Sequence, residues 1–189
     1  VLPETLQNYL ADQISVGKIS ATTPEFDAAE ESVRNRINRL MGVASGHRTV
    51  DHFHKQLGKI MWEYCGMARN AESLTKAKQL ISELEDDFWN SVLIPGTANE
   101  FNPELEKACR LEDYFELAQL VIADALHREE SCGGHFRTEH QTADGETLRD
   151  DEHFMYVAAW EYQGHGQPET MEKEPLNYEH ITIANRNYK

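Results

Sequence analysis

No stretch of this chain comes near 18 uncharged apolar residues, so no segment reads as a membrane span. The longest apolar-leaning run, Leu117 to Leu126, is broken by Gln119 and Asp124 and reads as a packed helix. Cysteine is scarce: Cys65, Cys109 and Cys132 form no CxxC pair, and their odd number argues against a disulfide framework and fits a reducing compartment. Basic residues are few as well, 18 against 33 acids, for a net charge of -15. That balance excludes nucleic acid as a partner, because phosphate binding needs clustered Lys and Arg. It also speaks against direct attachment to an anionic membrane surface. No G-x-G-x-x-G, Walker loop, G-x-S-x-G or H-E-x-x-H is present, which leaves no expected flavin, phosphate, catalytic or metal site within the 189 residues. There is no signal or transit peptide and no initiator Met, so the chain is expected to be a piece of something longer.

What is present is helical periodicity. A short apolar run around Tyr9 to Ile14 predicts a short helix, followed by a connecting loop to Thr23. Phe26, Ala29, Val33, Ile37 and Leu40 recur at spacings of three and four and share one face, with Asp27 and Glu30 near the first turn and Gly42 and Gly46 as the stop. Phe53, Leu57, Ile60, Met61 and Tyr64 mark the next helix, with Thr49 or Asp51 as cap. Asn70 caps a third, carrying Leu74, Ala77, Ile81, Leu84 and Phe88 and broken by Ile94-Pro95-Gly96. Asn102-Pro103 opens a fourth, whose stripe of Leu105, Ala108, Leu111, Phe115, Ala118, Ile122 and Ala125 continues to about Glu130, roughly 28 residues or about 42 Å. The fold class expected is mainly α: an antiparallel three-helix bundle with an extra short N-terminal helix and a C-terminal β-hairpin and irregular tail. In that hairpin Phe154 to Tyr162 pairs with Leu176 to Ile183 and, being marginal alone, lies on the bundle or on a partner.

Several clusters invite chemistry and resist it. His52 and His54, two apart, point in different directions on a helix. His135, Glu139, His140 and His153 lack zinc-ligand spacing. Cys132 and Ser131 follow a helix C-terminus, whose negative pole works against a thiolate nucleophile. The acidic runs at 83–87 and 150–152 read as solvated faces. The segment Asp124-Ala-Leu-His-Arg-Glu-Glu-Ser-Cys-Gly-Gly-His-Phe-Arg137 is denser in polar residues than a helix stop needs and reads as a joint against another surface.

That joint resembles the C-terminal signature of the flavoprotein subunit of succinate dehydrogenase and fumarate reductase, usually Glu-Ser-Arg-Gly-Ala-His-x-Arg. Glu130, Ser131, Gly133, His135 and Arg137 match it; Cys132 stands where the family usually has Arg, and Gly134 where it has Ala. Tyr64-Cys-Gly-Met-Ala-Arg69 resembles the family's Tyr-x-Gly-x-x-Arg turn, and Asn185-Arg-Asn-Tyr188 its tyrosine-ending tail. Val1-Leu-Pro3 resembles the point where the flavin domain hands over the chain.

The resemblance implies three stretches: 1–23 a connector from a missing flavin domain, 24–137 the helical bundle domain, and 138–189 the polar loop, hairpin and tail. It implies FAD-dependent interconversion of succinate and fumarate in the full-length subunit. Electrons would pass through an iron-sulfur subunit to quinone, with a membrane cytochrome b anchor contacted indirectly. No catalytic, cofactor-binding or metal residue is carried over, so this segment alone is expected to be inactive, with no cofactor of its own. Glu130, Ser131, Gly133, His135 and Arg137 are expected to dock it to its own N-terminal flavin and capping domains. The implied location is cytoplasmic, membrane-associated through the complex. Two alternatives stand beside this: the C-terminal domain of L-aspartate oxidase, which ends in a similar helical domain, and a free-standing acidic helical interaction module. Trp62, Trp89, Phe101 and Trp160 are too large and numerous for three helices to hide, which argues against the module.

Overall fold

A computed structural model describes residues 2–14, 17, 19–164 and 167–184. The expectations resting on Val1 and on Asn185 to Tyr188 lie outside the described residues. The elements run α1 (Leu2–Gln13), α2 (Pro24–Met41), β1 (Arg48–Thr49), α3 (Val50–Tyr64), α4 (Ala71–Ser91), β2 (Val92–Leu93), α5 (Pro103–His127), α6 (Asp151–Phe154), β3 (Tyr156–Glu161) and β4 (Thr170–Pro175).

The bundle is α3, α4 and α5. Local sequence starts each helix. The Thr49 hydroxyl, rather than Asp51, accepts from the His52 amide at 3.2 Å. Asn70 and Ser73 close a reciprocal capping box on α4. Asn102 accepts from Leu105 N at 3.1 Å, with Pro103 in the first turn of α5. One phenylalanine from each helix meets at the centre: Phe88 packs edge-on to Phe53 at 5.4 Å and tilted on Phe115 at 5.6 Å, all three fully buried. All seven expected stripe residues of α5 are buried.

The short pair β1–β2 was not expected. It is parallel, two residues per strand, and joins the start of α3 to the end of α4, which fixes those helices as antiparallel. Gly46 permits it: a Cβ there would stand 2.2 Å from the Val92 carbonyl oxygen. Arg48 reinforces the junction by pairing with Asp87, so the acidic run at 83–87 is not wholly a solvated face.

The expected stripe of α2 is only half used. Leu40 is buried and Ile37 packs on the core, but Phe26, Ala29 and Val33 are exposed, because α2 meets the bundle chiefly along α5 and near its own C-terminal end. Arg36 holds that crossing by pairing with Glu112 and Asp113. The helix also begins earlier than Asp27 and Glu30 indicate, with Thr23 before Pro24 at its start. In α1, Leu6, Tyr9 and Leu10 are exposed.

The hairpin forms with a different second strand. β3 pairs with Thr170–Pro175, Tyr156 opposite Pro175 and Trp160 opposite Met171, whereas 176–183 is not strand. Met171 opposite Trp160 and Lys173 over the Tyr156 ring at 4.3 Å give this polar strand cross-strand partners that β-propensity passes over. The hairpin rests on α5: the Trp160 indole donates to Asp124 at 2.8 Å, and the Tyr156 hydroxyl lies 2.7 Å from His127 Nε2. Of the four large aromatics singled out above, Trp160 and Trp89 are partly covered, while Trp62 and Phe101 are exposed. Among the described residues no helix is long and apolar enough to cross a membrane.

The bend after the long helix as candidate docking site

Helix α5 stops at His127, three residues before the expected Glu130, because its last carbonyls find a side-chain partner. The Arg137 guanidinium, 3% exposed, donates to the carbonyls of Ala125 at 2.8 Å and Leu126 at 3.3 Å. A cation there offsets the negative end of the helix dipole. Its other nitrogens reach Glu139, both contacts at 3.3 Å. Glu139 in turn accepts from the Ala71 amide at 2.5 Å, in the first turn of α4. One ion pair therefore spans two helix ends of opposite sign, with Arg137 on the negative end of α5 and Glu139 on the positive end of α4.

The chain between is a closed bend. Ser131, fully buried, accepts from Arg137 N at 2.9 Å and donates to Arg137 O at 3.1 Å through the same hydroxyl. Cys132 and His135 exchange both backbone hydrogen bonds around Gly133-Gly134. Gly133 has φ +58, which disfavours any side chain there although space for a Cβ is open. Glu130, 3% exposed, accepts from Arg128 at 2.8 Å and from the Asp150 amide at 2.9 Å. Arg128 also donates to the carbonyls of Phe154 and Tyr156, fastening bend to hairpin. His135 Nε2 donates to the Arg128 carbonyl at 2.8 Å. Burial, with help from the nearby Arg69, Arg137 and Arg128 charges, lowers its pKa despite that bond.

The two segments quoted for the family resemblance come together here. Arg69 N donates to Phe136 O at 3.1 Å and Thr138 N to Arg69 O at 2.9 Å, so the 64–69 turn and the bend form one corner. Gly66 makes that turn possible, since a Cβ would lie 2.6 Å from the Trp62 carbonyl oxygen.

Of the five expected docking residues, the side chains of Glu130, Ser131 and Arg137 are buried and hydrogen-bonded within this chain. They set the shape of the corner. What it shows outward is the Cys132–Gly134 turn, the half-buried His135 and Arg69, and Met67, which is 90% exposed. A shallow concavity of about 570 Å³ includes Arg69, Arg128, His135 and Gly134 in its lining. Sequence reasoning passed over Glu139 except as a neighbour of histidines; its signal was the Arg-x-Glu spacing to Arg137, ambiguous until Ala71 lies beside it. Among the described residues no three His, Cys, Asp or Glu side chains come together to hold a metal ion.

Glu139 gives the corner a pH signature. Desolvation raises its pKa, but hydrogen bonds from Arg137 and the Ala71 amide outweigh that and lower it from 4.5 to about 2. A carboxyl with a depressed folded-state value contributes stability above 4.5 and loses it as pH falls toward 2. Its partial exposure discounts the contribution to about 1 kcal/mol. His135, lowered from 6.5, likewise favours the fold above that pH and costs stability below it. Glu139→Gln is expected to flatten the melting temperature against pH between 4.5 and 2; an unchanged slope contradicts the dipole-bridging role.

The sequence profile of the family described as Fumarate reductase flavoprotein C-term matches residues 54–188. The fumarate reductase flavoprotein subunit of Serratia sp. is 29% identical over 158 residues, covering 84% of this chain and 25% of the relative. A chloroplastic L-aspartate oxidase of Nicotiana tabacum is 38% identical over 89 residues, 47% of this chain and 14% of the relative. Among solved structures, an E. coli quinol fumarate reductase FrdA chain superposes with TM-score 0.74 at 23% identity, covering 91% of this chain and 28% of that one. The Mycobacterium smegmatis Sdh1 complex superposes at 0.70 and 20% identity, over 90% and 27%. The chain thus spans about a quarter of the length of the fumarate reductase relatives it matches. With its bundle, hairpin and signature bend, this chain belongs to the C-terminal domain family of the fumarate reductase flavoprotein.

Proposed function

We propose that these 189 residues brace a flavoprotein that interconverts succinate and fumarate, with FAD held in a body outside them. The observation that carries this is the corner itself. Two motif segments some sixty residues apart are stitched together by buried, internally satisfied polar groups, and the result exposes a tight glycine turn, a polar concavity lined by Arg69, Asp124 and Arg128, and a bare methionine. A helix stop alone needs one cap. The segment's role is structural: Glu130, Ser131 and Arg137 shape the bend, Gly133 and His135 present it, and the flavin and capping domains rest against it. Residues 1–23 connect to that body, 24–137 form the bundle and 138–189 carry the loop, hairpin and tail. Electrons from the flavin pass to an iron-sulfur subunit and then to quinone at a membrane anchor, which gives a cytoplasmic, membrane-associated location through the complex. When bound in that body, FAD supplies hydride acceptance; no residue described here takes part in that step.

The 38% identity to a plant L-aspartate oxidase supports a second reading in which the same brace serves an amino-acid oxidase. Turnover by the complete flavoprotein decides: fumarate formation from succinate is expected, and oxidation of aspartate instead favours the second reading. The 189-residue chain mixed with FAD is expected to show no bound-flavin absorbance, and a stoichiometric yellow complex overturns the placement of the cofactor elsewhere.

A further inference from the structure

Glycine in the middle of a helix costs about 1 kcal/mol relative to alanine, so it calls for a reason. Gly66, in the turn after α3, has its reason inside this chain, the close Trp62 carbonyl. Gly58, in mid-α3, has none: a Cβ placed there meets nothing within 4 Å. Around it lies an exposed concave strip of His52, Lys55, Lys59, Trp62 and Glu63. Trp62, one turn beyond Gly58, is 85% exposed. Lys55 and Lys59 have no ion-pair partner among the described residues, although the chain as a whole carries net charge -15. An aromatic anchor, a missing side chain and two unmatched cations occupy one face.

We propose that this face of α3 docks an acidic protein segment of the assembled flavoprotein, whose backbone crosses at Gly58, whose apolar side chain packs on Trp62 and whose carboxylates meet Lys55 and Lys59. The inference rests on the reading that this chain is part of a larger flavoprotein. Close backbone approach needs the glycine notch, and the two lysines select negative charge, with Glu63 offsetting one of them. A second copy docking through the same face would set Lys55 and Lys59 against their own equivalents, like charge against like. An anionic lipid surface has no backbone to cross the notch at Gly58.

The test is acetic anhydride labelling of Lys55 and Lys59, read by mass spectrometry, in the complete flavoprotein assembly and in the 189-residue chain. Labelling is expected to slow about tenfold or more in the assembly, which about 1.4 kcal/mol of docking free energy suffices to give. Carbodiimide is expected to join either lysine to an Asp or Glu outside these 189 residues. Gly58→Ala is expected to act in opposite directions, raising the melting temperature of the 189-residue chain by about 2–4 °C while restoring lysine labelling in the assembly. Protection found only with phosphatidylglycerol vesicles, or cross-links only between two copies of this chain, overturns the proposal. A flavin-loaded assembly with both lysines still reactive overturns it and leaves the bend as the docking site. An assembly that never binds flavin overturns the bracing function and this inference with it.

Discussion

Replacing Arg137 by Met is expected to cost about 3 kcal/mol of stability, read as a fall in the urea midpoint at unchanged slope. The side chain is 3% exposed and does three things at once: it takes the terminal carbonyls of α5, holds Glu139, and through Glu139 reaches the first amide of α4. Methionine fills similar volume but leaves the Ala125 and Leu126 carbonyls without their donor and the carboxylate without its counter-ion. Because Glu139 remains partly exposed, its abandoned charge rehydrates, which keeps the cost below that of a fully buried pair. Arg137→Lys is expected to recover only part of the loss, since an ammonium does not span the fork between helix carbonyls and carboxylate. A loss under about 1 kcal/mol for Arg137→Met means that the corner is held by its backbone bridges alone.

Phe88→Ala is expected to cost more, about 3–5 kcal/mol, because the ring is where all three helices of the bundle meet. Its removal opens a cavity between Phe53 and Phe115 and strips an edge-on neighbour from Trp89, whose ring also has the Arg39 guanidinium over it at 3.5 Å from the centroid. The same urea titration measures it. A cost below about 1.5 kcal/mol shows that α3 and α5 collapse together and that Phe88 is not the keystone of the core.

How much of this was legible depended on how local the cause was. The α5 stripe, the Asn70 and Asn102 caps and the Pro103 start follow from periodicity and orphan amides within one turn, and all of them stand in the fold. The end of α5 was misplaced because the residue that ends it, Arg137, lies ten residues downstream and acts through space. The β1–β2 pair was invisible: two residues per strand carry no period, and Gly46 betrays them only once Val92 is beside it. The second hairpin strand was misassigned because its pairing follows β3's register, while β-propensity pointed to the apolar Leu176 to Ile183. At the site, the signature residues were recognisable one by one. Their inward orientation was not, since Glu130 needs the Asp150 amide and Glu139 needs Ala71 before either has a role. The half-empty stripe of α2 carries the same lesson: Phe26 and Val33 have the spacing of core residues with no core above them among the described residues.

On the proposed function, the glycine turn after α5 is covered by a flavin-bearing body. Cys132 reports on it directly, being exposed beside Gly133 while Cys65 is buried and serves as the unreactive reference. The alkylation rate of the Cys132 thiol is to be compared between the 189-residue chain and the complete flavin-loaded flavoprotein. A fast reaction in the first and a strongly slowed one in the second is the predicted result. Equal rates in both would leave the turn bare in the intact protein and rule out docking at this bend.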